Sequence, residues 1–251
     1  MMNGLKIGLA SVTFRDKSVR EVVEIARKSG VEYIEWGADV HVKTPDEAKL
    51  AKELCDLNGI KISSYGSYYR AGECNKSEWE RICRNSSVMG ASSVRIWLGN
   101  KDSEITDADE YKLILNDCKS LCAVAKEYGL IVSPECHDNT FNNNTDAFLK
   151  LAADLNEPNF KTYFQSRYFK FEYDIDRIER TFDYIENVHV SYRDLKLEQR
   201  FRKKDKKYLD KLLIKLAEMD YNGIVILEFT EKNSEKNFAE DIEKLRKIKL
   251  I

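Results

Sequence analysis

Apolar residues at helical spacing, then a glycine, then a short apolar run recur in that order along the chain. In the first occurrence, apolar residues spaced through 19–26 lead to Gly30, and the apolar segment 31–36 follows. The same order repeats around glycines at positions 59, 90, 129 and 223. Glycine readily takes the left-handed conformation that ends a helix. Each occurrence therefore predicts an amphipathic helix, a turn and a short buried strand.

Three further apolar runs lack this glycine but complete a set of eight predicted strands. The predicted strands are residues 5–10, 31–36, 60–65, 93–97, 130–135, 160–165, 187–190 and 224–228. Strands that alternate with helices pair in parallel through right-handed crossovers. An open nucleotide-binding sheet would usually show a Gly-rich loop after its first strand, and residues 10–15 contain none. We therefore predict an α/β fold, a single (β/α)8 TIM barrel that occupies residues 1–251 as one domain.

Composition and net charge limit the classes of molecule that the protein is expected to bind. The chain has 251 residues, 43% of them hydrophobic and 33% charged, and three prolines that mark no linker. Its formal net charge of −2 predicts no general attraction for nucleic acid or for acidic membrane surfaces. The basic run at 200–207 is a local exception, and it is interpreted either as a solvated segment or as a phosphate clamp.

Cysteine usage and hydropathy predict a cytoplasmic location. The six cysteines show no CxxC spacing, so they are expected to be reduced thiols rather than a disulfide framework or a zinc site. The N-terminus has no apolar run of signal-peptide length, and no stretch approaches the length of a membrane span.

Polar residues end the last four predicted strands. They are Glu135, Gln165, His189 and Glu228. The carboxyl ends of barrel strands face one mouth, so these side chains are expected to converge. A buried charge there is costly unless it is paired or bound to a metal. Taken singly, Glu135 or Glu228 also fits a salt-bridged carboxylate and His189 a hydrogen-bonded core histidine, and Gln165 alone indicates almost nothing. Together, these oxygen and nitrogen ligands predict a site for Mn²⁺, Zn²⁺, Co²⁺ or Mg²⁺.

Short segments at these positions carry a family resemblance. The chain resembles the xylose isomerase-like barrel family of sugar and sugar-phosphate isomerases and epimerases. The resemblance lies in residues 135–140, 188–190 and 226–229 and in the segment from Gly30 to Trp36, which includes Glu35. The resemblance implies a metal set of Glu, Asp, His and Glu on strands five to eight. Gln165 stands where that family commonly has Asp, and this removes one negative charge from the set.

The ketose 3-epimerase branch of that family has two further residues that this chain lacks. A histidine of that branch is replaced by Tyr168, and an arginine is replaced by Leu195, with Arg193 close by but out of register. These departures argue against a ketose 3-epimerase.

The resemblance implies a metal-dependent isomerase or epimerase of a small sugar, sugar phosphate or related polyhydroxy carbonyl compound. The metal would bind the substrate carbonyl, and Glu135 and Glu228 would exchange the proton of the adjacent carbon as base and acid. His137 would hydrogen-bond a substrate oxygen or orient a metal ligand. Homodimer formation is a further expectation from the resemblance.

Several residues are candidates for substrate binding beside this metal. Trp36, Tyr65 and Trp97 are interpreted either as an apolar wall for the sugar or as barrel packing. Arg95 would bind a phosphate or carboxylate, or else pair with a buried acid such as Glu35. Arg193 is a further candidate at the strand-seven end.

Three alternatives remain open at this point. One is a sugar-binding or regulatory barrel without catalysis, which the changes at 165, 168 and 195 keep open. Another is a dehydratase related to inositol-pathway members, whose reaction also begins with proton removal next to a carbonyl. The last is a phosphodiesterase that resembles endonuclease IV. That chemistry uses several metals with many histidine ligands, and this chain has three histidines, of which His41 falls in a loop.

Overall fold

Eight parallel strands form one sheet in the computed structural model, which describes residues 6–166, 170–193 and 207–248. The strands are β1 (Lys6–Ala10), β2 (Tyr33–Gly37), β3 (Lys61–Ala71), β4 (Ser93–Leu98), β5 (Ile131–Pro134), β6 (Thr162–Gln165), β7 (Ile185–Val190) and β8 (Ile224–Leu227). Their order in the sheet is β5-β4-β3-β2-β1-β8-β7-β6, with parallel pairing throughout. Strands β1 and β8 therefore pair as neighbours, as the closure of a barrel requires.

The sheet nearly closes between β5 and β6. Isolated parallel bridges join Val132 to Phe160 and Glu135 to Tyr163. The amide of Val132 also donates to the carbonyl of Asn159 at 2.8 Å. These contacts bring the two ends of the sheet together, and the predicted (β/α)8 barrel is confirmed.

Eight α-helices in the described part of the chain surround the strands. They are α1 (Val19–Ser29), α2 (Pro45–Leu57), α3 (Lys76–Met89), α4 (Ala108–Glu127), α5 (Thr145–Leu155), α6 (Phe171–Thr181), α7 (Tyr208–Glu218) and α8 (Glu235–Lys247). Short 3₁₀ turns lie at Ser11–Phe14, Ser103–Ile105, Phe141–Asn143, Phe182–Tyr184 and Glu231–Asn233. The helices begin where local sequence favours it. Ser18 and Glu21, for example, form a capping box that satisfies free amides at the start of α1.

The glycines between helices and strands serve two different purposes. Gly30 and Gly90 take the left-handed conformation, with φ of 67° and 76°, and end α1 and α3 as predicted. At Gly223 this explanation is wrong, because the positive φ of 57° lies at Asp220 instead. A side chain at Gly223 would place its Cβ 2.2 Å from Oη of Tyr221, so glycine is required there by close packing.

Strand β3 is longer than predicted, and this changes the mouth of the barrel. The prediction ended it at residue 65, whereas it continues to Ala71 with a register shift against β4 between Gly66 and Arg70. Tyr65 is therefore in the middle of the strand, and Tyr68 rises from its upper part with 39% of its surface exposed.

Most of the apolar core lies between the strands and the helices, and a small apolar cluster that includes Ala10, Tyr163 and Ile226 fills part of the barrel interior. No helix in the described ranges combines the length and the apolarity needed to cross a membrane. None of the six cysteines is in a disulfide. Tyr168, Leu195 and all of the basic run except Lys207 lie outside the described residues.

Candidate metal centre

Four side chains from successive strands meet at the mouth of the barrel. Glu135 follows β5 directly, Gln165 ends β6, His189 lies on β7, and Glu228 follows β8 directly. The Nδ1 atom of His189 is 3.0 Å from Oε1 of Glu135, 3.3 Å from Oε1 of Gln165 and 3.5 Å from Oε2 of Glu228. One ring nitrogen therefore faces three oxygen atoms, each contributed by a different strand.

These donors suit a divalent cation. One ligand atom each from Glu135, His189 and Glu228 lie within 4.8 Å of one another, and all three residues are buried. Two donors bound at right angles to a small cation at about 2.1 Å are separated by roughly 3.0 Å, close to the spacing around His189. A set of carboxylate, amide and imidazole donors matches Mn²⁺, Co²⁺, Zn²⁺ or Mg²⁺ better than a soft ion.

Arg95 lies inside the barrel beneath this group and pairs with two acids. Its Nη1 donates to Oε2 of Glu135, and its Nε is 3.4 Å from Oε1 of Glu35. All three side chains are at most 3% exposed. Of the two roles predicted for Arg95, pairing with buried acids is therefore the one the structure shows.

The site carries more negative than positive charge. Burial would raise the pKa of Glu35, but the charges of His189 and Arg95 outweigh it and lower that pKa to about 2. Burial likewise opposes the charged form of His189, yet the charges of Glu35 and Glu228 raise its pKa well above the usual value. Three carboxylates, those of Glu35, Glu135 and Glu228, thus face one guanidinium and one protonated imidazole. A divalent cation would balance this surplus of negative charge.

The two oxygens of Glu135 have different partners. Oε2 accepts from Arg95 and from Nε1 of Trp97, the latter at 2.8 Å. Oε1 faces His189. Burial would raise the pKa of Glu135, but the charge of Arg95 and the hydrogen bond with His189 lower it overall. Glu135 is thereby held as a carboxylate with one oxygen directed at the candidate ligand group.

An aromatic group borders the site on the β3 and β4 side. The ring of Trp97 lies 5.1 Å from that of His137 and 5.3 Å from that of Tyr68, and the guanidinium of Arg70 sits 4.3 Å from its centre. Trp97 and His137 are both half-buried. Trp97 is therefore fixed by neighbours on several sides and also contacts Glu135, a candidate metal ligand.

The structure places Trp36 and Tyr65 away from the site, so their prediction as a substrate wall is wrong. Both are fully buried. Tyr65 donates its hydroxyl hydrogen to the carbonyl of Val42 at 2.6 Å. Successive strand residues point to opposite faces. Because Glu35 and Ser64, the residues that precede them, face the barrel interior, Trp36 and Tyr65 face the helices.

Other residues at the site escaped the sequence analysis. Ser64 donates to Oε2 of Glu35 at 2.9 Å, and the Tyr163 ring packs edge-on to His189 with centroids 5.0 Å apart. Tyr68 joins the aromatic border. The alternation along β3 could have indicated Ser64 once Glu35 was placed inward. Arg193, a predicted substrate residue, lies with its guanidinium 3.9 Å from the ring centre of Phe229, next to Glu228.

The chain belongs to the xylose isomerase-like TIM barrel family, whose profile matches residues 23–248. No curated protein is significantly similar to it.

Solved structures of the same shape include three enzymes. The probable 3-DHS dehydratase AsbF of petrobactin synthesis from Bacillus anthracis has a TM-score of 0.78 at 16% identity, covering 96% of this chain and 98% of its own. The 3-keto-D-glucoside 4-epimerase YcjR from E. coli has a TM-score of 0.76 at 13% identity, covering 96% of this chain and 99% of its own. The D-psicose 3-epimerase from Clostridium cellulolyticum H10 has a TM-score of 0.76 at 14% identity, covering 97% of this chain and 99% of its own. At these identities the similarity shows the shared fold alone.

Proposed function

We propose that this protein is a metal-dependent isomerase or epimerase of a small sugar, sugar phosphate or related polyhydroxy carbonyl compound. The observation that carries the proposal is the arrangement of Glu135, Gln165 and Glu228 oxygens around Nδ1 of His189 at 3.0–3.5 Å. Membership of the xylose isomerase-like family and the similarity in shape to two epimerases support the same class of reaction.

The proposed reaction starts with removal of a proton from the carbon next to a carbonyl group. Glu135, Gln165, His189 and Glu228 would hold a divalent cation, which would supply Lewis-acid stabilisation of the negative charge that develops on the substrate oxygens. Glu228 is the most exposed of the three site carboxylates, at 9%, and acts as the base. In an epimerase, Glu135 would first take up a proton from solvent and deliver it to the other face of that carbon, while the proton taken by Glu228 passes to solvent.

The substrate is expected to bind beside Trp97. The half-buried ring offers an apolar surface to the C–H face of a sugar, and His137 and Tyr68 extend this border. Nδ1 of His137 contacts the carbonyl of Asp138 at 2.8 Å, and Nε2 would hydrogen-bond a substrate hydroxyl. Arg193 adds a cationic group on the β7 and β8 side.

A dehydratase is a second candidate, and one observation favours it. Arg95 and Trp97 both donate to Oε2 of Glu135, which stabilises its ionised form and makes it a weak proton donor. Elimination of water can use Glu228 alone, which would take the proton from the carbon and pass it to the departing hydroxyl group as the C–O bond breaks, so that water leaves and a double bond forms. The probable dehydratase AsbF has the same fold. A conjugated carbonyl product, detected by ultraviolet absorbance, would distinguish elimination from isomerisation.

A cluster of several metals is not favoured by the described residues. His189 is the one histidine in the candidate ligand group. His41 is buried and engages Ser11, Phe14 and Lys17 instead. This supports a single cation and argues against an endonuclease IV-like reaction.

Solvent-deuterium exchange tests the proposal and does not require the product to be identified. Purified protein would be incubated in D₂O with a panel of ketoses, aldoses, sugar phosphates and hydroxylated ketoacids, with added Mn²⁺ or with a chelator. Metal-dependent incorporation of deuterium next to a carbonyl is the expected result. Glu228→Gln should reduce exchange by at least about 10²-fold while the fold is retained.

Glu186→Gln is a matched control, since Glu186 is a partly buried glutamate of β7 that lines a cavity with Lys6 and Tyr33 at the opposite end of the barrel. It should leave exchange unchanged. If metal analysis finds no bound ion and no compound exchanges, the proposed reaction is wrong. Binding of a sugar without any exchange would instead establish the sugar-binding or regulatory barrel.

A further inference from the structure

A buried carboxylate lies on the far side of His189 from the candidate ligands. Oε2 of Glu35, on β2, is 3.3 Å from Nε2 of the ring. The other nitrogen, Nδ1, faces the oxygens of Glu135 and Gln165. Glu35 is 2% exposed. The imidazole therefore bridges a carboxylate inside the barrel and the group of candidate ligands at its mouth.

Glu35 is itself held firmly in this position. Ser64 donates to Oε2 at 2.9 Å, and Nε of Arg95 lies 3.4 Å from Oε1. The neighbouring strand residue Gly66 leaves the room that this pair needs. A Cβ at Gly66 would lie 3.0 Å from Oε1 of Glu35 and 3.1 Å from Nη2 of Arg95. The carboxylate consequently has little freedom to turn away from His189.

With a cation bound at the mouth of the barrel, a carboxylate in this place favours the ring form that carries its hydrogen on the nitrogen facing it. A neutral imidazole has one N–H and one lone pair, and an ionised carboxylate can only accept a hydrogen bond. Both ring nitrogens face carboxylates, Nε2 that of Glu35 and Nδ1 that of Glu135. A cation bound by Glu135 would need the lone pair of Nδ1, so the single hydrogen of the neutral ring would then be on Nε2, where Glu35 accepts it. A carboxylate that fixes the tautomer and orientation of a metal-ligating histidine raises its basicity as a ligand.

We propose that Glu35 is a positioning residue that holds His189 with its hydrogen on Nε2 and presents Nδ1 as the metal-binding atom. The inference rests on the proposed function, because it presumes a divalent cation at this site. Glu35 contacts neither the cation nor the substrate in this scheme, and it acts through His189 alone. Ser64 and Arg95 support it by fixing the carboxylate.

Metal affinity provides the first test. Binding of Co²⁺ and Zn²⁺ would be measured by competition with a chelator for the intact chain, for Glu35→Ala and for Glu35→Gln. We expect Glu35→Ala to weaken binding by about 10- to 100-fold, the range found when such partners of metal-ligating histidines are removed. Glu35→Gln keeps the shape of the side chain but offers both a donor and an acceptor, so it no longer selects one tautomer. A smaller loss is expected there.

Spectroscopy separates positioning from a general effect on folding. In the Zn²⁺-loaded protein, ¹⁵N spectra should show His189 with hydrogen on Nε2, and this signal should weaken or shift in Glu35→Gln. The Co²⁺ absorption spectrum should change with it. Asp117→Asn is the matched control, since Asp117 is a buried carboxylate of α4 that binds the loop after β3. It should leave both the affinity and the spectra unchanged.

The outcomes distinguish this inference from the proposed function. If the intact chain binds metal and both Glu35 variants bind it equally well with unchanged spectra, the positioning role is overturned and the metal centre stands. If Asp117→Asn weakens binding as much as the Glu35 variants, the effect is one of stability and the inference is again overturned. If the intact chain binds no divalent cation, the proposed function fails, and this inference fails with it.

Discussion

Arg95 donates a hydrogen bond to Glu135 across neighbouring strands, and both side chains are almost completely removed from water. Removing one partner of a buried ion pair leaves an uncompensated charge and costs about 3–5 kcal/mol. We therefore expect Arg95→Met to lower the free energy of unfolding by about this amount in urea denaturation of the metal-free protein. Added divalent cation should recover part of the loss, because it supplies positive charge beside Glu135.

Arg15→Met is the control for this prediction. Arg15 pairs with Asp39 near the surface, where the two side chains are 51% and 31% exposed. Exposed pairs contribute about 0–1 kcal/mol. Equal losses for the two variants would show that burial of the Arg95 pair has no special energetic weight.

Trp97→Phe removes the N–H donor to Glu135 and keeps an aromatic ring beside His137 and Tyr68. A hydrogen bond to a charged group contributes about 1.5–3 kcal/mol. We expect weaker metal binding and slower deuterium exchange. Trp79→Phe is the matched variant, since Nε1 of Trp79 donates to the carbonyl of Leu121 at 3.0 Å in the helical layer. It should lower stability without changing exchange, and a loss of exchange there would contradict the assignment of Trp97.

Gln165→Glu keeps the length of the side chain and restores a carboxylate to the ligand group. Its oxygen lies 3.3 Å from Nδ1 of His189. The added charge should tighten Mn²⁺ binding by at least about tenfold, or about 1.4 kcal/mol. The same charge should lower the stability of the metal-free protein, because it adds a fourth carboxylate to a crowded site. Calorimetry would measure the change in Mn²⁺ affinity, and urea denaturation would measure the change in stability. The variant Gln165→Leu, which removes the oxygen, should weaken Mn²⁺ binding.

His41 predicts a pH dependence of stability that is independent of the metal centre. Burial lowers its pKa, although hydrogen bonds with the carbonyls of Phe14 and Lys17 oppose the shift. The unfolded chain, with an ordinary histidine pKa of 6.5, therefore binds a proton more readily than the folded protein. Its contribution to stability is complete above that pKa and is lost as the pH falls below it, by at most about 1.4 kcal/mol per pH unit.

Urea denaturation of the intact protein and of His41→Gln, from about pH 7.5 to about pH 5.5, measures this effect. The difference between the two proteins isolates His41, because other titrating groups are common to both. We expect the stability of the variant to fall less steeply with acidification. Parallel curves would show that His41 has the same pKa in the folded and unfolded chain.

The sequence was sufficient to predict the barrel and the convergence of its strand-end residues. Eight apolar runs separated by amphipathic helices leave few topologies, and the carboxyl ends of parallel strands necessarily share one mouth. Glu135 and Glu228 could be placed there because each directly follows its apolar run. Neither inference needed the side-chain orientation of any other residue.

The orientation of residues within strands was harder to predict. A shift of one residue moves a side chain from the interior to the helical layer. The predictions for Trp36 and Tyr65 failed for this reason, since Glu35 and Ser64 occupy the inward positions. The length of β3 was also underestimated, because polar residues after Tyr65 hid the continuation that carries Tyr68.

The sheet has its weakest connection between β5 and β6, where isolated bridges replace a continuous ladder. Glu135 and Gln165 project from the two margins of this gap. A cation held by both side chains would join those margins directly. Metal binding would therefore stabilise the closure of the barrel between β5 and β6. Backbone amides of β5 and β6 should then exchange with solvent more slowly once the ion is bound, while those of β1 and β2 change little.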